Sequence, residues 1–148
     1  MIYIIIIIGL VLDRITKLWA VNALMGQKDI TIIKDFFDFS YLENRGAAFG
    51  IFQGKAYLLA AVTVVILFFL FVNYLKTKNK TRIFTWSTGL IISGAVGNLI
   101  DRLSLGYVVD FVSLHFRNSY YFPSFNVADM CITFGTGLLI LYIIKEAD

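Results

Sequence analysis

The sequence predicts a mainly α-helical integral membrane protein, with four transmembrane helices and a small extracytoplasmic β-sheet between the first two. Two observations and one physical constraint predict the helices of this class. Of the 148 residues, 59% are hydrophobic and 16% are charged, whereas soluble domains are nearer half apolar and a quarter charged. The apolar residues are gathered in four long blocks, each about as long as a helix that crosses the hydrocarbon layer. Backbone groups in lipid must also pair internally, so we expect these blocks to be helices.

We expect a single domain, residues 1–148, with spans at about 2–25, 56–75, 83–103 and 127–145. The first block is apolar up to Leu12 and is then interrupted by Asp13, Arg14 and Lys17. A cleaved signal peptide is the alternative for this block. No basic region precedes the apolar run, however, and charged residues stand where that run should continue, so we expect a retained span.

Basic residues predict the orientation of the chain. Residues 76–82 carry four positive charges and no acid, which is typical of a cytoplasmic loop. The total counts of basic residues on the two sides are equal, and the density of this cluster decides between them. Both termini are then cytoplasmic, and the loops 26–55 and 104–126 face outward. The cluster also explains the net charge of +3 without a nucleic-acid partner.

The sheet is predicted in the first outer loop, residues 26–55. Residues 30–33 and 37–42 alternate apolar and polar side chains and are rich in β-branched and aromatic types. We expect the aromatic side of this sheet to enter the edge of the bilayer. The aromatic segment 120–125 should lie at the same depth.

Asp110 and Asp129 are the strongest candidates for chemistry. Asp110 follows the third apolar block and Asp129 opens the fourth, and carboxylates at the edge of lipid are costly. Two carboxyls within hydrogen-bonding range would share one proton, and such a pair can activate water and polarise a carbonyl for amide hydrolysis. The alternative is that each is an interfacial residue or a helix cap.

Two groups of polar residues in the helices are further candidates. Asp13 and Lys17 are spaced as an i,i+4 pair, which favours either mutual neutralisation or contact with a substrate. Asn98, Asp101 and Arg102 follow small residues that let a neighbouring helix approach. We favour a supporting network for these three residues over direct catalysis.

Asparagines supply the remaining candidates. Asn44 begins a segment rich in small residues, residues 44–50, which either lies along an extended substrate or forms a plain turn. Asn126 lies three residues before Asp129 and either orients that carboxyl or caps the helix.

The sequence contains no recognisable set of metal ligands, so we expect no metal. His115 is the only histidine and Cys131 the only cysteine. A Gly-x-Ser-x-Gly motif is also absent, so zinc and serine hydrolysis are both disfavoured.

Taken together, these motifs resemble those of the lipoprotein signal peptidases, the bacterial type II signal peptidases. The matching segments are Asp13-x-x-Thr-Lys17, Asn44-Arg-Gly-Ala-Ala-Phe-Gly50, Gly94-Ala-Val-Gly-Asn-Leu-Ile-Asp-Arg102, Val108-Val-Asp-Phe111 and Phe125-Asn-Val-Ala-Asp129. They stand in the family's order and extend from the first span to the last. Each is weak alone, but five in order within this length are specific.

The resemblance implies an aspartyl endopeptidase of the bacterial inner membrane, with its active site near the outer face and a periplasmic β-cradle. It implies cleavage of diacylglyceryl-modified prolipoproteins before the lipidated cysteine, contact with membrane lipid, inhibition by globomycin-type cyclic peptides and no cofactor. We expect the chain to act as a monomer. The resemblance makes Asp110 and Asp129 the catalytic pair, and it places substrate binding or site architecture at Asn44, Asn98, Arg102, Asn126, Asp13 and Lys17.

Two other classes of function remain open from the residues alone. A proton- or ion-coupled transporter would also carry acids within its spans, although such folds usually have more spans or broken helices. A structural subunit would tolerate alanine at the polar motifs as long as its helices insert.

Overall fold

Among the described residues, the fold is a bundle of four helices with a four-stranded antiparallel sheet at one end. A computed structural model describes residues 1–46, 51–117 and 119–147. The helices are α1 (Ile2–Leu24), α2 (Ala56–Lys76), α3 (Arg82–Ser104) and α4 (Val127–Ala147). The strands are β1 (Ile30–Ile33), β2 (Phe37–Asn44), β3 (Val108–Phe116) and β4 (Tyr120–Tyr121), and their order in the sheet is β1-β2-β3-β4.

The distribution of polar side chains is reversed relative to a soluble protein. Large apolar side chains such as Phe68, Phe69 and Ile144 are more than half exposed, whereas Asp13, Lys17 and other polar groups are buried. This pattern suits helices surrounded by lipid, where apolar groups face outward and polar groups pair inside. Within the described residues, α2, α3 and α4 are long and apolar enough to cross a membrane. The first helix is equally long, but its three charged residues leave it outside that class.

The central helix is α3, and α1, α2 and α4 all pack against it. Glycines on α3 permit this close approach near the polar groups. A Cβ atom at Gly97 would lie 2.6 Å from the Asp13 carboxyl, and one at Gly94 would overlap the backbone carbonyl of Ala128. Small residues at these positions therefore let α1 and the start of α4 approach α3, as the sequence predicted.

The sheet is larger than the sequence predicted, because two of its strands come from the connection between α3 and α4. The prediction placed the sheet between the first two helices, in residues 26–55. Strands β1 and β2 do lie there, but β3 is the longest strand and pairs with β2 in antiparallel register, with Leu42 opposite Asp110. The first four residues of β3, Val108 to Phe111, are buried, so this half of the strand has no alternation of apolar and polar residues to reveal it. Residues 112–116 do alternate, and this pattern could have revealed the strand.

Candidate active site

The structure brings Asp110 and Asp129 to the end of the bundle that carries the sheet. Asp110 lies on β3 and is completely buried. Asp129 is in the first turn of α4, is half-buried and lines a large cavity. A strand and a helix terminus, rather than two helices, therefore supply the two carboxyls.

Asn126 connects the two carboxyls. Its side-chain Nδ2 donates to Asp110 Oδ1 at 2.7 Å. Its Oδ1 accepts from the backbone N–H of Asp129 at 2.9 Å, while Asp129 Oδ2 accepts from the backbone N–H of Asn126 at 3.2 Å. This reciprocal pair is a capping box at the start of α4. Asn126 and Asp129 therefore cap α4, as the alternative interpretation held. The Asn126 side chain binds Asp110 at the same time.

The expected hydrogen bond between the two carboxyl groups is not observed among the described residues. The second oxygen of Asp110 and the second oxygen of Asp129 are each bound by a further asparagine. Asn44 Nδ2 donates to Asp110 Oδ2 at 2.9 Å, and Asn98 Nδ2 donates to Asp129 Oδ1 at 2.7 Å. Three asparagine side chains therefore bind all but one of the four carboxyl oxygens, and that one is bound by the backbone.

The surroundings of Asp110 favour its protonated form. Burial, together with the negative charge of Asp129, raises the pKa of Asp110 to about 7. Hydrogen bonds from Asn44 and Asn126, and the positive charge of Lys17, act in the opposite direction. A carboxyl that titrates near neutral pH can hold a proton for acid–base chemistry.

Lys17 is the centre of a buried cluster of charges behind the two carboxyls. Its Nζ lies 2.9 Å from Asp13 Oδ2 and 2.8 Å from Asp101 Oδ2, and it donates to Asn98 Oδ1 at 3.0 Å. The predicted pair of Asp13 and Lys17 therefore has a third charged member, Asp101. Since an ammonium group can only donate, it fixes the Asn98 amide with its nitrogen toward Asp129.

The two aspartates of this cluster also hold the backbone near the site. Asp13 Oδ1 accepts from the N–H of Ala128 at 3.0 Å, at the start of α4. Asp101 Oδ2 accepts from the N–H of Val109 at 3.3 Å, next to Asp110. The cluster thus connects the two elements that carry the candidate catalytic residues.

Asp101 also binds an arginine at the edge of the cluster. It does not pair with its neighbour Arg102 among the described residues. Its Oδ1 accepts instead from Arg14 Nη1 at 3.3 Å, and the Arg14 side chain remains 50% exposed. No pattern of residues predicts this contact, because it depends on how α1 is rotated against α3.

Arg102 lies on the cavity wall and contacts the segment that begins at Asn44. Its Nη2 donates to the carbonyl oxygen of Gly46 at 3.2 Å, and the N–H of Gly46 donates to Asn44 Oδ1 at 3.0 Å. The rest of the small-residue motif, residues 47–50, lies outside the described residues. Arg102 and Asn44 therefore belong to one side of the cavity.

The cavity has a polar end and an apolar wall. Its volume is about 950 Å³. Asn44, Asn98, Arg102 and Asp129 form the polar end. The apolar wall is supplied by the segment before α4 and by α4 itself: Tyr121, Phe122, Phe125, Met130, Ile132 and Phe134. Asp110 lies behind Asn44. Within the ranges that the structure describes, no three histidine, cysteine, aspartate or glutamate side chains are grouped to hold a metal ion.

Comparisons with known proteins agree on one family. The model of the signal peptidase (SPase) II family matches residues 5–145. The lipoprotein signal peptidase of Clostridium tetani is 54% identical over 147 residues, which cover 97% of this chain and 92% of the relative. That of Clostridium novyi is 49% identical, with 96% of each chain covered.

Two solved structures of a bacterial membrane enzyme, obtained by the in meso method, share the fold. The structure at 2.3 Å resolution has a TM-score of 0.87 and 30% identity, and the match covers 99% of this chain and 89% of the other. The structure at 1.9 Å resolution has a TM-score of 0.85 and 31% identity, and the match covers 97% and 92% of the two chains.

Proposed function

Because this chain belongs to the signal peptidase II family, the aspartic peptidases that remove signal peptides from prolipoproteins, we propose that Asp110 and Asp129 are its catalytic pair. The chain is accordingly a membrane endopeptidase of bacterial type that acts on prolipoproteins. One observation carries the assignment of the two residues. Their carboxyls come from different elements and are joined through Asn126. Asp129 lines the polar end of the cavity, and Asp110 lies directly behind Asn44 at that end.

The proposed reaction is direct hydrolysis by water. Ionised Asp129, on the cavity surface, takes a proton from water as the water oxygen attacks the carbonyl carbon of the scissile peptide. Protonated Asp110 donates a hydrogen bond to the carbonyl oxygen, where negative charge develops. The proton held by Asp129 then passes to the leaving nitrogen as the carbon–nitrogen bond breaks. The products are a carboxyl-terminated signal peptide and a free amine.

Asn44 controls access to Asp110 in this mechanism. Its amide covers Asp110 Oδ2 and also lines the cavity, whereas Asp110 has no exposed surface. The substrate carbonyl therefore replaces the Asn44 amide at Asp110 when the peptide binds. Arg102 and Asn98, which line the same end, hold the peptide and Asp129 in place.

The substrate is proposed to be a diacylglyceryl-modified prolipoprotein, cut before its lipidated cysteine. The apolar cavity wall and the exposed apolar faces of α2 and α4 suit a substrate that stays in lipid. Contacts with membrane lipid and inhibition by globomycin-type cyclic peptides belong to the same proposal.

The proposed topology has four spans, with α1 as the fourth. Although α1 contains three charged residues, Asp13 and Lys17 are buried and paired, so the helix presents few charges to lipid. The basic residues of 76–82 favour cytoplasmic termini and an active site near the outer face of the bacterial inner membrane. We propose that the chain acts as a monomer, in one domain of residues 1–148.

A pair of matched peptides tests the substrate. Purified protein in lipid bicelles is expected to cut a diacylglyceryl-modified precursor peptide immediately before the modified cysteine, while its unlipidated twin remains intact. Mass spectrometry of the products gives the cleavage position. Equal cleavage of the two peptides would contradict lipid recognition, and cleavage of neither would contradict the activity.

A further inference from the structure

His115 and Asp38 form a buried polar pair in the sheet that the catalytic assignment does not use. His115 Nε2 lies 2.7 Å from Asp38 Oδ2, and the two side chains are 7% and 19% exposed. A carboxylate can only accept, so Nε2 carries the hydrogen. His115 Nδ1 and Asp38 Oδ1 are buried without a hydrogen-bond partner among the described residues. Such a pair is a costly way to join two strands if packing is its only role.

The imidazole lies directly under a residue of the substrate cavity. His115 is opposite Tyr121 in the register of β3 and β4, and the two rings stack with centroids 5.3 Å apart and planes 22° apart. Tyr121 lines the cavity and is 60% exposed. One face of the tyrosine ring therefore rests on His115.

Backbone hydrogen bonds fix the chain on the C-terminal side of Tyr121 but not its ring. The N–H of Phe122 donates to the carbonyl oxygen of Leu114 at 2.9 Å. The N–H of Phe125 donates to the carbonyl oxygen of Val112 at 3.1 Å. These bonds hold the cavity wall against β3. The direction of the Tyr121 ring is left to its side-chain contacts, of which the His115 stack is one.

We propose that His115 is a positioning residue for substrate binding: Asp38 fixes the plane of its imidazole, and the imidazole holds the Tyr121 ring as a contact surface for the apolar part of the peptide. The inference rests on the proposed function. We place the effect on binding because Tyr121 lies on the cavity wall beside His115, five residues along β3 from Asp110. Loss of the stack should raise KM and leave kcat unchanged.

The test is a double-mutant cycle with the purified chain and the lipidated precursor peptide. His115→Gln keeps a donor for Asp38 but removes the ring, and Tyr121→Ala removes the contact surface. Each is expected to raise KM about three- to tenfold, with kcat within about twofold of wild type. The double variant should raise KM no further than Tyr121→Ala alone, because the histidine acts through the tyrosine. Tyr120→Ala, on the same short strand but outside the cavity lining, is the matched control and should keep its KM.

Several results would overturn the inference. They are an unchanged KM for Tyr121→Ala, a fall in kcat at constant KM for His115→Gln, and multiplied effects in the double variant. If His115→Gln does not fold, an unchanged KM for Tyr121→Ala still overturns the inference, because the Tyr121 side chain is exposed and can be removed without opening the interior. A wild-type chain that cuts no peptide contradicts the proposed function itself, whereas a cutting wild type with unaffected variants contradicts only the role of His115.

Discussion

Asp129→Asn and Asp110→Asn are each expected to reduce cleavage of the lipidated peptide by about a thousandfold or more. An amide at position 129 cannot take the proton from water. An amide at position 110 lacks the acidic carboxyl proton and offers the developing negative charge only a weaker hydrogen bond. The two side chains have nearly the same shape as the carboxyls they replace, so the fold should remain. Single-turnover cleavage in bicelles measures the loss.

Asp35→Asn is the matched control for these variants. Asp35 lies in the turn between β1 and β2 with a φ of 61°, a conformation that asparagine adopts readily. Its cleavage rate should equal that of wild type. Near-normal cleavage by either catalytic variant, at equal thermal stability, would remove that carboxyl from the mechanism.

Lys17→Met is expected to destabilise the protein by about 3–5 kcal/mol, because it leaves Asp13 and Asp101 buried without their common cation. Lys17 is 2% exposed and contacts both carboxylates within 3 Å. It also fixes the Asn98 amide that holds Asp129, so remaining folded protein should cleave more slowly. Thermal unfolding in detergent should show a Tm lower by about 10 °C.

Arg14→Met provides the comparison, since Arg14 shares the partner Asp101 but its side chain is 50% exposed. An exposed ion pair contributes about 0–1 kcal/mol, so this variant should unfold close to the wild-type temperature. Equal losses for the two variants would show that burial of Lys17 is not the source of the effect.

The sequence was sufficient to predict where the helices lie and which polar residues come together around the two carboxyls. Long apolar blocks predict helices in lipid because no other backbone structure in a short chain satisfies its own hydrogen bonds there. The spacing of Asn126 and Asp129 likewise predicted that they would interact, since side chains three residues apart share a face of a helix.

What the sequence left undetermined depends on contacts between distant elements. Asn44 reaches Asp110 only because β2 and β3 pair in the register that places Leu42 opposite Asp110. Asp101 joins Asp13 and Lys17 only through the rotation of α1 against α3. Neither register nor rotation leaves a periodic pattern in one chain. The buried start of β3, apolar on both faces apart from Asp110, lacks the alternation that marks a strand, although residues 112–116 have it.

The central claim is that Asp110 and Asp129 work as one acid–base pair in which Asp110 holds the proton. The pH dependence of kcat/KM for the lipidated peptide tests it most directly, because it reports the groups of the free enzyme. Burial and the charge of Asp129 place the pKa of Asp110 at about 7, and the active form exists below that value. We therefore predict that kcat/KM falls above pH 7 by about tenfold per pH unit, while the protein remains folded. A value of kcat/KM that stays constant from pH 6 to about pH 9 would contradict the assignment.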